Sequence, residues 1–231
     1  MDYSDYMVIN YAIPMLGFLI TLVAQIYVNN SYNKYKYQSL KKRITGFETA
    51  RNILDKNGLK DIKIVEVKGN LTDHYDPKKK VISLSTDIYH GDTIASSSVA
   101  AHECGHAIQH KEGYIFLKIR SLLVPMVNFT TKIGYLVVII GIIFSFPKLA
   151  IIGLILLLGM LLFQLITLPV EFNASTRAKK ELLNLKIIDN EELNDSNIML
   201  RAAALTYVAS LITTLLQILR LSMIVFGRRN D

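Results

Sequence analysis

The chain of 231 residues has one cysteine, Cys104, and no tryptophan. A single thiol excludes any intrachain disulfide. Packing and metal must therefore hold whatever part lies outside lipid, which fits a reducing compartment. Without tryptophan, aromatic belts at a membrane surface would have to be tyrosine, and Tyr32, Tyr35 and Tyr37 are placed to supply them. Charge is missing from two long runs, Met7 to Val28 and Leu149 to Leu168, each long enough to span a bilayer. The second holds Gln164 as its only strongly polar side chain and no acid or histidine. That disfavours a zinc transporter, because an ion pathway needs ligands within the membrane. There is no internal repeat and no low-complexity linker. The net charge of +7 comes from basic residues flanking apolar runs rather than forming a face for nucleic acid. A nucleic-acid partner is excluded on that ground, and the lipid bilayer is the expected environment.

The apolar runs predict an α-helical membrane protein of about four transmembrane helices with a small cytoplasmic α+β catalytic unit. Residues 7–28 form the first span; Asp2 and Asp5 precede it and no small-residue cleavage site follows, so it reads as an anchor. Lys34, Lys36, Lys41, Lys42 and Arg43 come next and place residues 29–128 in the cytoplasm. Residues 129–168 read as a transmembrane hairpin with a tight turn at Pro147-Lys148. A hairpin returns the chain to the side it left, so residues 169–204 share a compartment with 29–128. Residues 205–226 read as a last span, or as a re-entrant or surface-lying helix. Arg220, Arg228 and Arg229 would fall outside if it spans, against the positive-inside tendency. The localisation expected is a bacterial cell membrane, multi-pass, with the site facing the cytoplasm.

Within the cytoplasmic part, Thr45 to Lys56 reads as an amphipathic helix capped by Thr45 and ended by Gly58. Asp61 to Lys68 alternates as a strand, Asn70 to Pro77 is turn-rich, and Val81 to Leu84 is a second strand, giving a short antiparallel sheet. Asp92 or Thr93 caps the next helix and Gly113 closes it.

That helix carries Val99-Ala100-Ala101-His102-Glu103-Cys104-Gly105-His106-Ala107-Ile108, an H-E-x-x-H pattern with uncharged flanks. Two imidazoles four apart point from one helix face, a spacing that suits two nitrogens on one tetrahedral Zn²⁺. Glu103 lies about 100° round the helix from His102, within reach of an attacking water without ligating the metal. Small and apolar neighbours predict burial, and buried ionisable groups need a compensating charge such as a metal. Cys104 points away from the pair and reads as a small buried filler.

A hydrolytic zinc site usually has three protein ligands and an open position. His110 lies about 6 Å further along the helix axis than His106, too far unless the helix breaks. The metzincin pattern has a breaking glycine where Gln109 stands here. His74 and His90 remain open as loop candidates. Glu171 is favoured, because Pro169 can begin a new helix after the hairpin and Glu171 would project from its first turns. Ser175, one turn on, is a candidate hydrogen-bond partner behind the ligands.

Several blocks carry a resemblance: Leu71-Thr72-Asp73-His74-Tyr75-Asp76-Pro77, Leu84-Ser85, Ala100 through Gln109, Leu168 through Ser175, and Ala203 through Ala209. Together they resemble the YugP-type neutral zinc metallopeptidases of bacterial membranes, over almost the whole chain. The layout is also similar to the HtpX and Ste24 membrane proteases, which place a helical hairpin between H-E-x-x-H and a third-ligand glutamate. The resemblance implies that His102, His106 and Glu171 bind zinc and that Glu103 is catalytic. In the HtpX-like pattern an aspartate usually stands four residues after the ligand glutamate; here it is Ser175.

The chemistry expected is zinc-dependent hydrolysis of peptide bonds, with Glu103 as general base and then acid. Tyr75, His74, His90 and Arg177 are candidates for stabilising the oxyanion. The strand at Val81 to Ser85 is expected to offer an edge for an extended substrate. Substrates would be peptides or membrane proteins. The rival reading is a non-hydrolytic membrane adaptor that keeps zinc for structure.

Overall fold

A computed structural model describes residues 3–227. Four of its helices are long and apolar enough to cross a membrane: Tyr3–Tyr35, Ile115–Ile143, Pro147–Asn184 and Asn190–Gly227. Between the first two lie the helix Gly46–Lys56, strands β1 (Lys63–Val67), β2 (His74–Asp76) and β3 (Val81–Ser85), the short helix Thr86–His90 and the motif helix Ile94–Lys111. The described chain divides into two compact units. One comprises residues 3–25, 119–168 and 206–227; the other comprises Ile26–Lys118 and Pro169–Leu205.

In the first unit the hairpin helices approach closely through glycine. A Cβ on Gly141 would lie 2.5 Å from the Ala150 nitrogen, and one on Gly153 2.6 Å from Val138. The turn differs from the expected Pro147-Lys148. It falls earlier, at Ser145 with φ 54°, and Pro147 is the first residue of the next helix, where its missing N–H costs nothing. The helix entering the hairpin also begins well before Phe129, at Ile115.

The unit also accounts for an arginine within the last span. Residues Val8–Ala12 form a π-helical segment just before Pro14. The π partner of the Ile9 carbonyl would be the nitrogen of residue 14, which as proline has no N–H. Arg220 Nε fills that place, donating to Ile9 O at 2.9 Å. A cation inside a span is costly unless paired, and here a backbone carbonyl pairs it. Asp2, Arg228 and Arg229, which entered the topology argument, lie outside the described residues.

The second unit has an ordinary hydrophobic core. Ile53, Leu54, Ile82, Leu84, Ile94, Ala100, Ala101, Cys104 and Leu182 are all fully buried in it. A complete capping box starts Gly46–Lys56: Thr45 Oγ1 accepts from Glu48 N, and Glu48 Oε2 accepts from Thr45 N. Thr93, rather than Asp92, caps the motif helix, and Gly113 at φ +68° follows its end. The sheet is mixed rather than antiparallel, because the turn-rich stretch contains β2. The order is β1-β3-β2, with β1 parallel and β2 antiparallel to β3. Strand β3 is therefore central and offers no free edge. Tyr32 and Tyr35 do not form an interface belt either. Both are buried in this core, and Tyr35 Oη donates to Asp195 at 3.0 Å.

Candidate metal centre

Two helices build the centre. The motif helix carries His102 and His106, whose rings meet edge to face with centroids 4.8 Å apart. The facing side chain is Glu171, 2 % exposed. It does not stand at the start of a new helix; the helix runs unbroken from Pro147 to Asn184, with Pro169 inside it. Pro169 takes one N–H out of the helix ladder without breaking the helix. On the residues around it, Gln109 Nε2 donates to the Val170 carbonyl at 2.8 Å, and Tyr114 Oη donates to that of Pro169 at 3.4 Å, which ties this stretch to the motif helix and its end.

What lets the two helices come together is Gly105. A Cβ at that position would sit 2.5 Å from the Ala174 carbonyl oxygen. Any larger residue would force the backbones apart, and the ligating atoms with them. With glycine in place, one ligand atom each of His102, His106 and Glu171 lie within 4.8 Å of one another. Glu171 Oε2 is 3.2 Å from His102 Nε2 and 3.6 Å from His106 Nε2.

The electrostatics follow from that convergence. Burial alone would raise the Glu171 carboxyl, but the hydrogen bonds of His102 and His106 outweigh it and hold the group well below the usual carboxylate range. Burial alone would lower His106; Glu171, with Glu103 and Gln109, outweighs this and raises it. A buried carboxylate facing two imidazole nitrogens is a donor set that zinc accepts.

The outer ring nitrogens are also held. His102 Nδ1 is 3.2 Å from Ser175 Oγ. His106 Nδ1 is 3.0 Å from Gln109 Oε1. Gln109 is fully buried, and its amide nitrogen is committed to two acceptors, Val170 O and Asn173 Oδ1. Its oxygen must therefore accept from Nδ1–H, so in the neutral imidazole it is Nε2, facing the centre, that carries the lone pair. Asn173 Oδ1 accepts in turn from Arg177 Nε at 2.7 Å, and Arg177 pairs with Glu112. Gln109 was not singled out from the sequence as a partner for the ligands. Its signal was its place three residues after His106, on the neighbouring turn.

The remaining candidates have other partners. His110 Nδ1 is 2.9 Å from Tyr75 Oη, whose pKa burial pushes up to about 12. His74 Nδ1 lies 2.9 Å from the Thr72 carbonyl, and His90 Nε2 lies 3.2 Å from Glu66. None of the three belongs to the metal-capable group found among the described residues. Glu103 is 8 % exposed, and its charge acts on both His106 and Asp73. Burial raises the Asp73 carboxyl; Ser85 opposes this by donating from N and Oγ, and Glu103 adds to it. Cys104 is buried with Sγ toward the Ala50 carbonyl, and burial pushes its thiol well up.

Helices able to cross a membrane, together with a metal-capable group of two histidines from an H-E-x-x-H helix and a glutamate from a second helix, fit the class of membrane zinc metallopeptidases. The chain belongs to a known family, whose model, described as "Putative neutral zinc metallopeptidase", matches residues 10–226. It is 45 % identical over 208 residues to "Putative membrane protease YugP" of Bacillus subtilis (strain 168), covering 90 % of this chain and 92 % of that one. The resemblance drawn from the sequence blocks is thereby borne out. No solved structure matches the chain.

Proposed function

We propose that the protein is a zinc-dependent membrane endopeptidase with a zincin-like catalytic unit facing the cytoplasm. The observation that carries this is the meeting of His102, His106 and Glu171 within 4.8 Å, on a helix that also presents Glu103. When bound, zinc would supply a Lewis acid for the scissile carbonyl and lower the pKa of water toward about 7. Glu103 takes the proton of the attacking water and returns it to the leaving amine. Gln109 and Ser175 hold the imidazoles in the tautomer that leaves Nε2 for the ion. Since β3 is central, an extended substrate would pair with the free edge of β2, whose Tyr75 bonds His110 of the motif helix. The basic residues after the first span support the cytoplasmic orientation.

Glu103→Ala tests the reading. Purified in detergent with zinc, the variant should lose peptide cleavage by about 10²–10⁴-fold while keeping its metal content by elemental analysis. Cleavage at the wild-type rate would remove Glu103 from the reaction, and a wild-type cellular phenotype without cleavage would favour a structural zinc adaptor instead.

A further inference from the structure

The membrane unit holds a cavity of about 360 Å³ that the peptidase reading does not use. Three helix faces build it. Arg120, Thr131 and Lys132 come from Ile115–Ile143, Gln164 from Pro147–Asn184, and Tyr207 and Ser210 from Asn190–Gly227. Gln164 is the one strongly polar side chain in the uncharged run Leu149 to Leu168. Its amide nitrogen donates to Ser210 Oγ at 2.9 Å, which fixes the orientation of the group. Its oxygen is then buried with no hydrogen-bond partner, and so is Thr131 Oγ1, also on the cavity wall. Two unmatched buried polar atoms in one apolar bundle are costly, and they point to a polar occupant.

The cations narrow its chemistry. Lys132 stands eleven residues before the helix end at Ile143, about 16 Å of rise, well inside a hydrocarbon layer of about 30 Å. Helical side chains lean toward the helix N-terminus, so its ammonium reaches in the direction of Arg120. The wall therefore offers positive charge for an anion, an amide oxygen that needs a donor, and hydroxyls that serve as either.

We infer that this cavity binds the headgroup of an anionic phospholipid that carries free hydroxyls. Lys132 and Arg120 attract the phosphate, and Gln164 Oε1 accepts from a headgroup hydroxyl. The shared chemistry, a hydroxylated phosphate ester, could also arrive from water as glycerol phosphate; the bilayer is the source favoured, because the cavity lies among spans whose outer surfaces are apolar.

The test is lipid retention by the full-length protein in detergent, read by native mass spectrometry. Phosphatidylglycerol, phosphatidic acid and phosphatidylcholine with the same acyl chains are the probes. Wild type should retain phosphatidylglycerol about tenfold more than phosphatidylcholine. Lys132→Met should bring both anionic lipids down to the phosphatidylcholine level, and Lys148→Met, at the exposed start of the next helix, should change nothing. Gln164→Leu should bring phosphatidylglycerol down to the phosphatidic acid level and leave phosphatidic acid unchanged, a result that misfolding could not give. Equal retention of phosphatidylglycerol and phosphatidylcholine by wild type overturns the inference. So does a Gln164→Leu variant that still prefers the glycerol headgroup, or water-soluble glycerol phosphate that binds lipid-free protein as tightly as the lipid does.

Discussion

The two units use one device, a glycine pressed against a neighbouring helix, to different ends. In the membrane unit Gly141 lets the hairpin helices touch at Ala150, where what meets is apolar. In the second unit Gly105 lets the motif helix touch Ala174, where what meets is three side chains able to ligate a metal. The energetic settings differ too. Large side chains such as Phe18, Leu122, Phe129 and Phe144 lie 64–77 % exposed in the membrane unit. In lipid, burying them against another helix gains little, so close packing and hydrogen bonds must hold the helices. The second unit hides its apolar side chains from water, so its core is stabilised by the hydrophobic effect and its glycine is free to serve geometry.

Substituting both glycines would break the comparison most severely. Alanine at either position meets backbone atoms 2.5 Å away, which flexible side chains cannot relieve. Each variant should lose about 1–3 kcal/mol of stability from overpacking, read by thermal melting in detergent. Only Gly105→Ala should also weaken zinc, by about 100-fold or more in a chelator competition, because outer-shell losses alone reach about 10–100-fold and here the ligands themselves separate. If Gly141→Ala weakened zinc as much, the two glycines would have one role, and the assignment of Gly105 to the centre would fail.

Gln109 sharpens the contrast within the second unit. It makes three hydrogen bonds that tie His106 to the helix carrying Glu171. Gln109→Leu keeps the volume and removes all three. Zinc affinity should drop by about 10–100-fold, with peptide KM little changed at saturating metal. An unchanged affinity would mean that the imidazole is oriented by packing alone.

How much of this was legible in the chain depends on range. His102, Glu103 and His106 are local, within five residues of one helix, and spacing alone places the two imidazoles on one face. Thr45 with Glu48, and Gly113 after the motif helix, are equally local. Glu171 is remote, yet the uncharged run Leu149 to Leu168 just before it gave its position away. Other features failed for lack of a local sign. Tyr35 looks like an interface tyrosine until Asp195, 160 residues on, receives its hydroxyl. Strand β2 has three residues inside a turn-rich stretch, too short to alternate, and missing it made β3 look like an edge. Arg220 looks misplaced in a span because its partner, the Ile9 carbonyl, is exposed by a proline at the other end of the sequence. Gly105 hides within the motif itself, since a glycine between two ligands reads as filler until Ala174 is seen against it.

Ser175 should give the smallest effect. It stands where the HtpX-like pattern places an aspartate, and it faces His102 Nδ1 through a single hydroxyl at 3.2 Å. A neutral hydroxyl polarises an imidazole less than a carboxylate does, and it holds one bond where Gln109 holds three. Removing one such bond costs about 1 kcal/mol, so Ser175→Ala should weaken zinc only about fivefold in the same competition. The ordering is the substance of the test. If Ser175→Ala were as damaging as Gln109→Leu, His102 rather than His106 would be the imidazole whose orientation limits binding, and the buried amide would be a packing element of the motif helix.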